Sequence, residues 1–177
     1  MNEPIIRKQQ SSTSRRICIT QVTCNELNEN EGKISRVGCI IRYLSEEDTY
    51  TYLLNRSNQN YLSDFGGGIR QKESWIEGFS RELTEECPWM KENIIQSLCS
   101  GNDTLFFLEV SRKNTVRLLI LITYTKRPTY LSLFHPTQEV KELVTMLEHQ
   151  LVQTFTSTIG LNYGLLQLRR VVRQGLL

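Results

Sequence analysis

Histidine is scarce, with two in 177 residues, and none of the five cysteines forms a Cys-x-x-Cys pair. Those gaps leave no ligand ladder for zinc. The odd cysteine count (Cys18, Cys24, Cys39, Cys87 and Cys99) also argues against a disulfide framework, and several of these residues sit in apolar surroundings as core thiols. No apolar run reaches the roughly 18 residues that a membrane span needs, and no early apolar stretch suits a signal peptide. The expectation is a soluble protein of a reducing compartment, intracellular and cytoplasmic, with no membrane partner. No internal repeat is present.

What remains is ordinary globular composition, 39% hydrophobic and 23% charged. The net charge is +2, but it is unevenly spread. Residues 1–16 carry Arg7, Lys8, Arg15 and Arg16 against Glu3 alone, and the last nine residues carry Arg169, Arg170 and Arg173 with no acid. Taking those ends from the totals of 21 bases and 19 acids leaves 14 bases and 18 acids between them. An acidic centre between basic ends fits a metal site with flanking anion attraction, or a solvated tail and helix end. The polar, Ser- and Gln-rich residues 1–16 read as a flexible basic arm, and residues 17–177 as one domain.

Alternation predicts a strand over 17–23, a polar loop over 25–35, and a hairpin from Val37–Tyr43 and Thr49–Asn55. A second hairpin is predicted from Leu105–Val110 and Val116–Tyr124, with Arg112, Lys113 and Asn114 at its tip. Val140, Leu143, Val144, Leu147, Leu151 and Phe155 repeat at helical spacing and predict a helix from Glu139 onward, followed by a shorter helix over Leu165–Arg173. These elements make an α/β (α+β) chain with a mixed sheet between helices.

The densest information lies in GGGIRQKESWIEGFSRELTEECPW, residues 66–89. Ser74-x-x-Glu77 is a capping box that starts a helix after the glycine turn. Glu82, Glu85 and Glu86 then fall within about 100° of one helix face. Like charges at this spacing destabilise an isolated helix by a few tenths of a kcal/mol per pair, and become favourable around a hard cation. Oxygen ligands of this kind suit Mg²⁺ or Mn²⁺. Arg81 can orient a neighbouring carboxylate or neutralise part of the cluster. Gly78, one turn before Glu82, leaves room for a ligand or for a closely packed loop. A solvated acidic face is the plain alternative, yet six prescribed residue types at fixed spacing arise by chance on the order of once in 10⁷ start positions.

The segment closely resembles the Nudix box, G-x5-E-x7-R-E-U-x-E-E-x-G-U, where U is bulky and apolar. Gly67, Glu73, Arg81, Glu82, Leu83, Glu85, Glu86 and Trp89 occupy the matching positions. The resemblance implies a Nudix-type α/β/α sandwich and a pyrophosphohydrolase that cleaves a diphosphate linkage in a small nucleoside diphosphate derivative. It implies that Glu85 and Glu86 bind Mg²⁺ or Mn²⁺, that Glu82 is a further ligand or general base oriented by Arg81, and that the Gly66 carbonyl is an extra ligand. Gly67 and Glu73 would be structural. An acid from beyond the box would be Glu139 or Glu142, with Glu139 preferred at the loop edge; either could instead serve the dipole of a first helical turn. The box glycine is replaced by Pro88, so the following loop is expected to take a different path.

Arg70 and Lys72 in the box loop could hold substrate phosphate or simply be solvated. His135 could assist proton transfer or be structural, and Tyr50, Tyr52, Tyr61 and Trp89 are base-stacking or core residues. Two further functions stay open: hydrolysis at an RNA 5′ end such as the mRNA cap, motivated by the basic ends, and a catalytically silent binding module of the same fold.

Overall fold

The computed structural model describes residues 17–100 and 103–177, so the basic arm expected over 1–16 lies outside the described residues. Its sheet has eight strands: β1 (Cys18–Val22), β2 (Ile34–Leu44), β3 (Tyr50–Ser57), β4 (Leu62–Ser63), β5 (Phe65–Gly68), β6 (Thr104–Val110), β7 (Val116–Tyr124) and β8 (Val140–Leu147). Strand order is β1-β6-β7-β2-β3-β4, with β5 also paired to β2 and β8 to β3. The β2–β7 pair is parallel and the others are antiparallel, which makes the sheet mixed.

The run VRLLILITY of β7 has both of its faces buried, as an apolar strand between β6 and β2 requires. Successive side chains point to opposite sides. Leu118, Ile120 and Ile122 join Val37, Cys39 and Ile41 on one side, where α2 (Trp75–Glu86) and α3 (Lys91–Ser100) supply Phe79, Leu83, Ile94 and Leu98. Leu119 and Leu121 join Ile40, Tyr52 and Leu54 on the other, covered by Leu151 of α4 (Glu148–Thr154) and by Leu165, Leu168 and Val171 of α5 (Tyr163–Arg173). Helices on both faces give the expected sandwich. Cys39 and Cys87 are buried thiols of the first core, whereas Cys18, Cys24 and Cys99 are exposed.

Two expectations need correction, and one helix had no counterpart among them. Residues 24–29 form a helix, α1 (Cys24–Glu29), rather than loop, because Thr23 and Glu26 make a reciprocal capping box. The helix α3 was not anticipated; its first described turn carries Glu92, and it buries only Ile94 and Leu98. The largest correction concerns residues 140–147, which are strand and not helix. They pair antiparallel with β3 from Thr51↔Leu147 to Ser57↔Val140, with a register shift between Arg56 and Ser57. The apparent helical spacing straddles a junction: Leu147 caps α4, and only Leu151 and Phe155 belong to helical geometry. Pairing with the β3 edge overrides local periodicity there.

Candidate active site

The site is built where β5 hands the chain to α2. Gly66 pairs with Gly38 across β2 at φ +143°, and a Cβ there would stand 2.1 Å from the Val37 carbonyl oxygen. Only glycine allows that approach. At Gly67 a Cβ would stand 2.4 Å from the Glu82 carboxyl carbon, so this glycine leaves the space in which Glu82 sits.

The loop then folds onto the helix through Glu73. Its carboxylate accepts from the Arg70 amide at 2.8 Å, while Ser74 and Glu77 cap α2 reciprocally. The room at Gly78 is used by this loop: a Cβ would meet Ile69 Cδ1 at 2.5 Å and Glu73 Oε2 at 2.9 Å.

Arg81 ties the pieces together. It donates to both Glu73 oxygens (2.8 and 3.1 Å), to the Gly68 carbonyl (2.8 Å) and to Glu82 Oε1 (2.6 Å), and stands 3.7 Å from Glu85. Hydrogen bonding from Arg81, then from the Arg70 amide, pulls the Glu73 carboxyl down to about 2. The same bonds to Glu73 and Glu82 hold the guanidinium charged.

Glu82, Glu85 and Glu139 offer carboxylate oxygens that all lie within 4.8 Å of one another. Two like charges at that distance repel by about 1 kcal/mol when fully hydrated and about 3.5 kcal/mol at a near-surface effective dielectric. Partial burial, then Glu82 and Glu85, raise the Glu139 carboxyl above its ordinary value. Glu139 reaches this place from the loop before β8 and not from a helical turn. Thr137 fastens that loop, its hydroxyl donating to the Glu86 carbonyl at 3.0 Å and accepting from the Val140 amide at 3.1 Å. Glu142, the alternative acid, points to Arg56 instead, at 3.0 Å.

Glu86 is outside that trio and accepts from the Gly66 amide at 2.8 Å. Burial pushes its carboxyl well up, against the lowering by that amide, with Asp64, Glu139 and Glu82 adding repulsion. Glu86 and Glu139 line one cleft of about 310 Å³ with Asn55, Ser63, Gln138 and Asn162. Arg70 and Lys72 are exposed on the loop and form no ion pair among the described residues. His135 is exposed, Tyr52 is buried, and Trp89 packs edge-on against Phe134 at 5.5 Å.

Sequence reasoning missed a buried ion pair near Glu86. Asp64 is buried and takes a bidentate pair from Arg36 (2.9 and 2.7 Å) and a bond from Asn162 (2.8 Å). A Cβ at Gly38 or Gly164 would fall 1.6 or 1.8 Å from Asp64 Oδ2, so both glycines make its cradle. The only local signal is an acid beside Phe65 and the glycine run. Pro88 follows Cys87, which is non-helical at φ −149° and closes α2 by donating to the Leu83 carbonyl.

No protein-family model matches the chain, and no curated protein matches it in sequence. Similar solved structures include a Nudix hydrolase from M. Smegmatis, RenU, 14% identical over 82% of this chain and 86% of that one, with a TM-score of 0.47. A C. elegans Ap4A hydrolase in a binary complex is 12% identical over 80% and 97%, with a TM-score of 0.49. A MutT protein from Methanosarcina mazei Go1 is 19% identical over 82% and 96%, with a TM-score of 0.43. No helix among the described residues is long and apolar enough to cross a membrane.

Proposed function

We propose that residues 17–177 form one hydrolase domain that cleaves a diphosphate linkage in a small nucleoside diphosphate derivative, with Mg²⁺ or Mn²⁺ as cofactor. The observation that carries this reading is the convergence of Glu82, Glu85 and Glu139 within 4.8 Å beside a polar cleft. Such a cluster of acid repels itself, and it gains stability when a cation occupies it. The donor set fits a hard divalent ion, because it is all carboxylate oxygen and includes neither thiolate nor imidazole.

Glu82, Glu85 and Glu139 would hold the cation, with Glu86 and the Gly66 carbonyl proposed as further ligands from the resemblance to the box. When bound, the cation supplies charge neutralisation at the phosphates and acidifies water. Arg81 fixes the Glu82 carboxylate through Nη1, which leaves Glu82 oriented to accept a proton from the attacking water. Glu73 keeps Arg81 in place and takes no direct part. Arg70 and Lys72, exposed and without carboxylate partners among the described residues, are available to a substrate phosphate.

The test is a panel of ADP-ribose, NADH, dinucleoside polyphosphates, oxidised dGTP and capped RNA, assayed with Mg²⁺, with Mn²⁺ and with chelator. Metal-dependent release of phosphate-bearing products from at least one free nucleotide derivative is expected. No turnover on any member would leave the binding-module reading; turnover of capped RNA alone would favour the RNA 5′-end reading.

A further inference from the structure

A second cleft, of about 470 Å³, lies where α3 meets the segment after β7. It exceeds the one beside the acids and falls within the size of small-molecule sites. Tyr124, the last residue of β7, and Lys126 and Arg127 just beyond it line this cleft at the carboxyl end of the strand paired in parallel with β2. Carboxyl ends of parallel strands are where open α/β sheets commonly seat ligands.

The walls differ in chemistry. Lys126 and Arg127 are both exposed, and neither makes an ion pair or a hydrogen bond among the described residues. No carboxylate lines the cleft itself; Glu46 borders Lys126 and Arg127 from their other side without an ion pair to either. The facing wall is a chain of hydroxyls. Tyr130 donates to Tyr124 at 3.1 Å, Tyr124 meets Ser97 at 2.9 Å, and Ser97 donates to the Asn93 carbonyl at 2.9 Å. The protons of this chain therefore run toward α3, and its free lone pairs can accept. The carboxyl end of α3, which carries Ser97 and Ser100, adds a partial negative charge on the same side.

We infer that this cleft binds a phosphorylated sugar, mononucleotides included: the phosphate meets Lys126 and Arg127, and the sugar hydroxyls donate to the Tyr124–Ser97 wall. One wall calls for an anion and the other for donors, and a sugar phosphate presents both. The site is separate from the acidic one and does not depend on the hydrolase reading.

The experiment titrates ribose 5-phosphate, AMP and inorganic phosphate into the protein in EDTA. Without a cation the clustered glutamates repel phosphate, so binding at the acidic site is suppressed. Isothermal titration should give saturable binding of ribose 5-phosphate and AMP. Amide shifts should centre on Ser97, Tyr124 and Thr125. K126E/R127E and the uncharged K126Q/R127Q should each weaken binding at least tenfold, the second remaining readable if charge reversal disturbs folding. Absence of binding, or binding unchanged in K126Q/R127Q, would overturn the site. Equal affinity for inorganic phosphate and ribose 5-phosphate would overturn the sugar assignment.

Discussion

Two sets of carboxylates in this protein have opposite surroundings. Asp64 and Glu109 are buried and each faces arginine: Arg36 doubly on Asp64, and Arg117 with Arg170 on Glu109. Glu82, Glu85 and Glu139 are more open and face chiefly one another, with Arg81 as their near cation. A buried acid without a partner costs several kcal/mol, so the first set must be paired for the chain to fold. The second set tolerates its repulsion because water screens it, and it gains most when a cation arrives. The buried acids are each enclosed by arginine, whereas the clustered acids share a single near cation, Arg81.

The sharpest way to break that division is to neutralise one member of each set. Glu82→Gln should lower turnover by about 10²- to 10⁴-fold, the range for loss of a positioned acid–base group, while melting temperature holds or rises without metal. Asp64→Ala should do the reverse to stability, costing about 3–5 kcal/mol by stranding Arg36, whether or not metal is present. Chemical denaturation with and without Mg²⁺ separates the two.

Protonation gives a third, smaller contrast. The Glu86 and Glu139 carboxyls are raised above the ordinary 4.5. A raised folded value means that their stability contribution is present below 4.5 and is lost as pH climbs through the raised values. Metal-free protein should therefore lose stability on going from pH 5 to pH 8 through these two groups. A divalent cation, which competes with those protons, should raise the melting temperature more at pH 8 than at pH 5. Equal shifts at both pH values would contradict the assignment. The smallest effect belongs to Glu142→Gln: its exposed pair with Arg56 is worth under about 1 kcal/mol, and turnover should not move.

The sequence carried the box segment well because its information is local. A capping box, a glycine turn and three acids on one helix face need no knowledge of distant chain. Glu139 was legible as a candidate but was set on the wrong element. Val140, Leu143, Val144 and Leu147 mimic a helical stripe, while the deciding partner, β3, lies far earlier in the chain. Asp64 was invisible for the same reason, its partners Arg36 and Asn162 lying 28 and 98 residues away. Gly78 left two uses open, and the Ile69–Glu73 loop takes the space.

The proposed cation site is formed by Glu82, Glu85 and Glu139. Titration of Mn²⁺ followed by electron paramagnetic resonance tests it most directly, on the wild type and on Glu82→Gln, Glu85→Gln, Glu139→Gln and Glu142→Gln. Saturable binding that weakens at least tenfold in the first three variants and is unchanged in the fourth is the expected result. Binding that is absent, or equal in all five proteins, would contradict it.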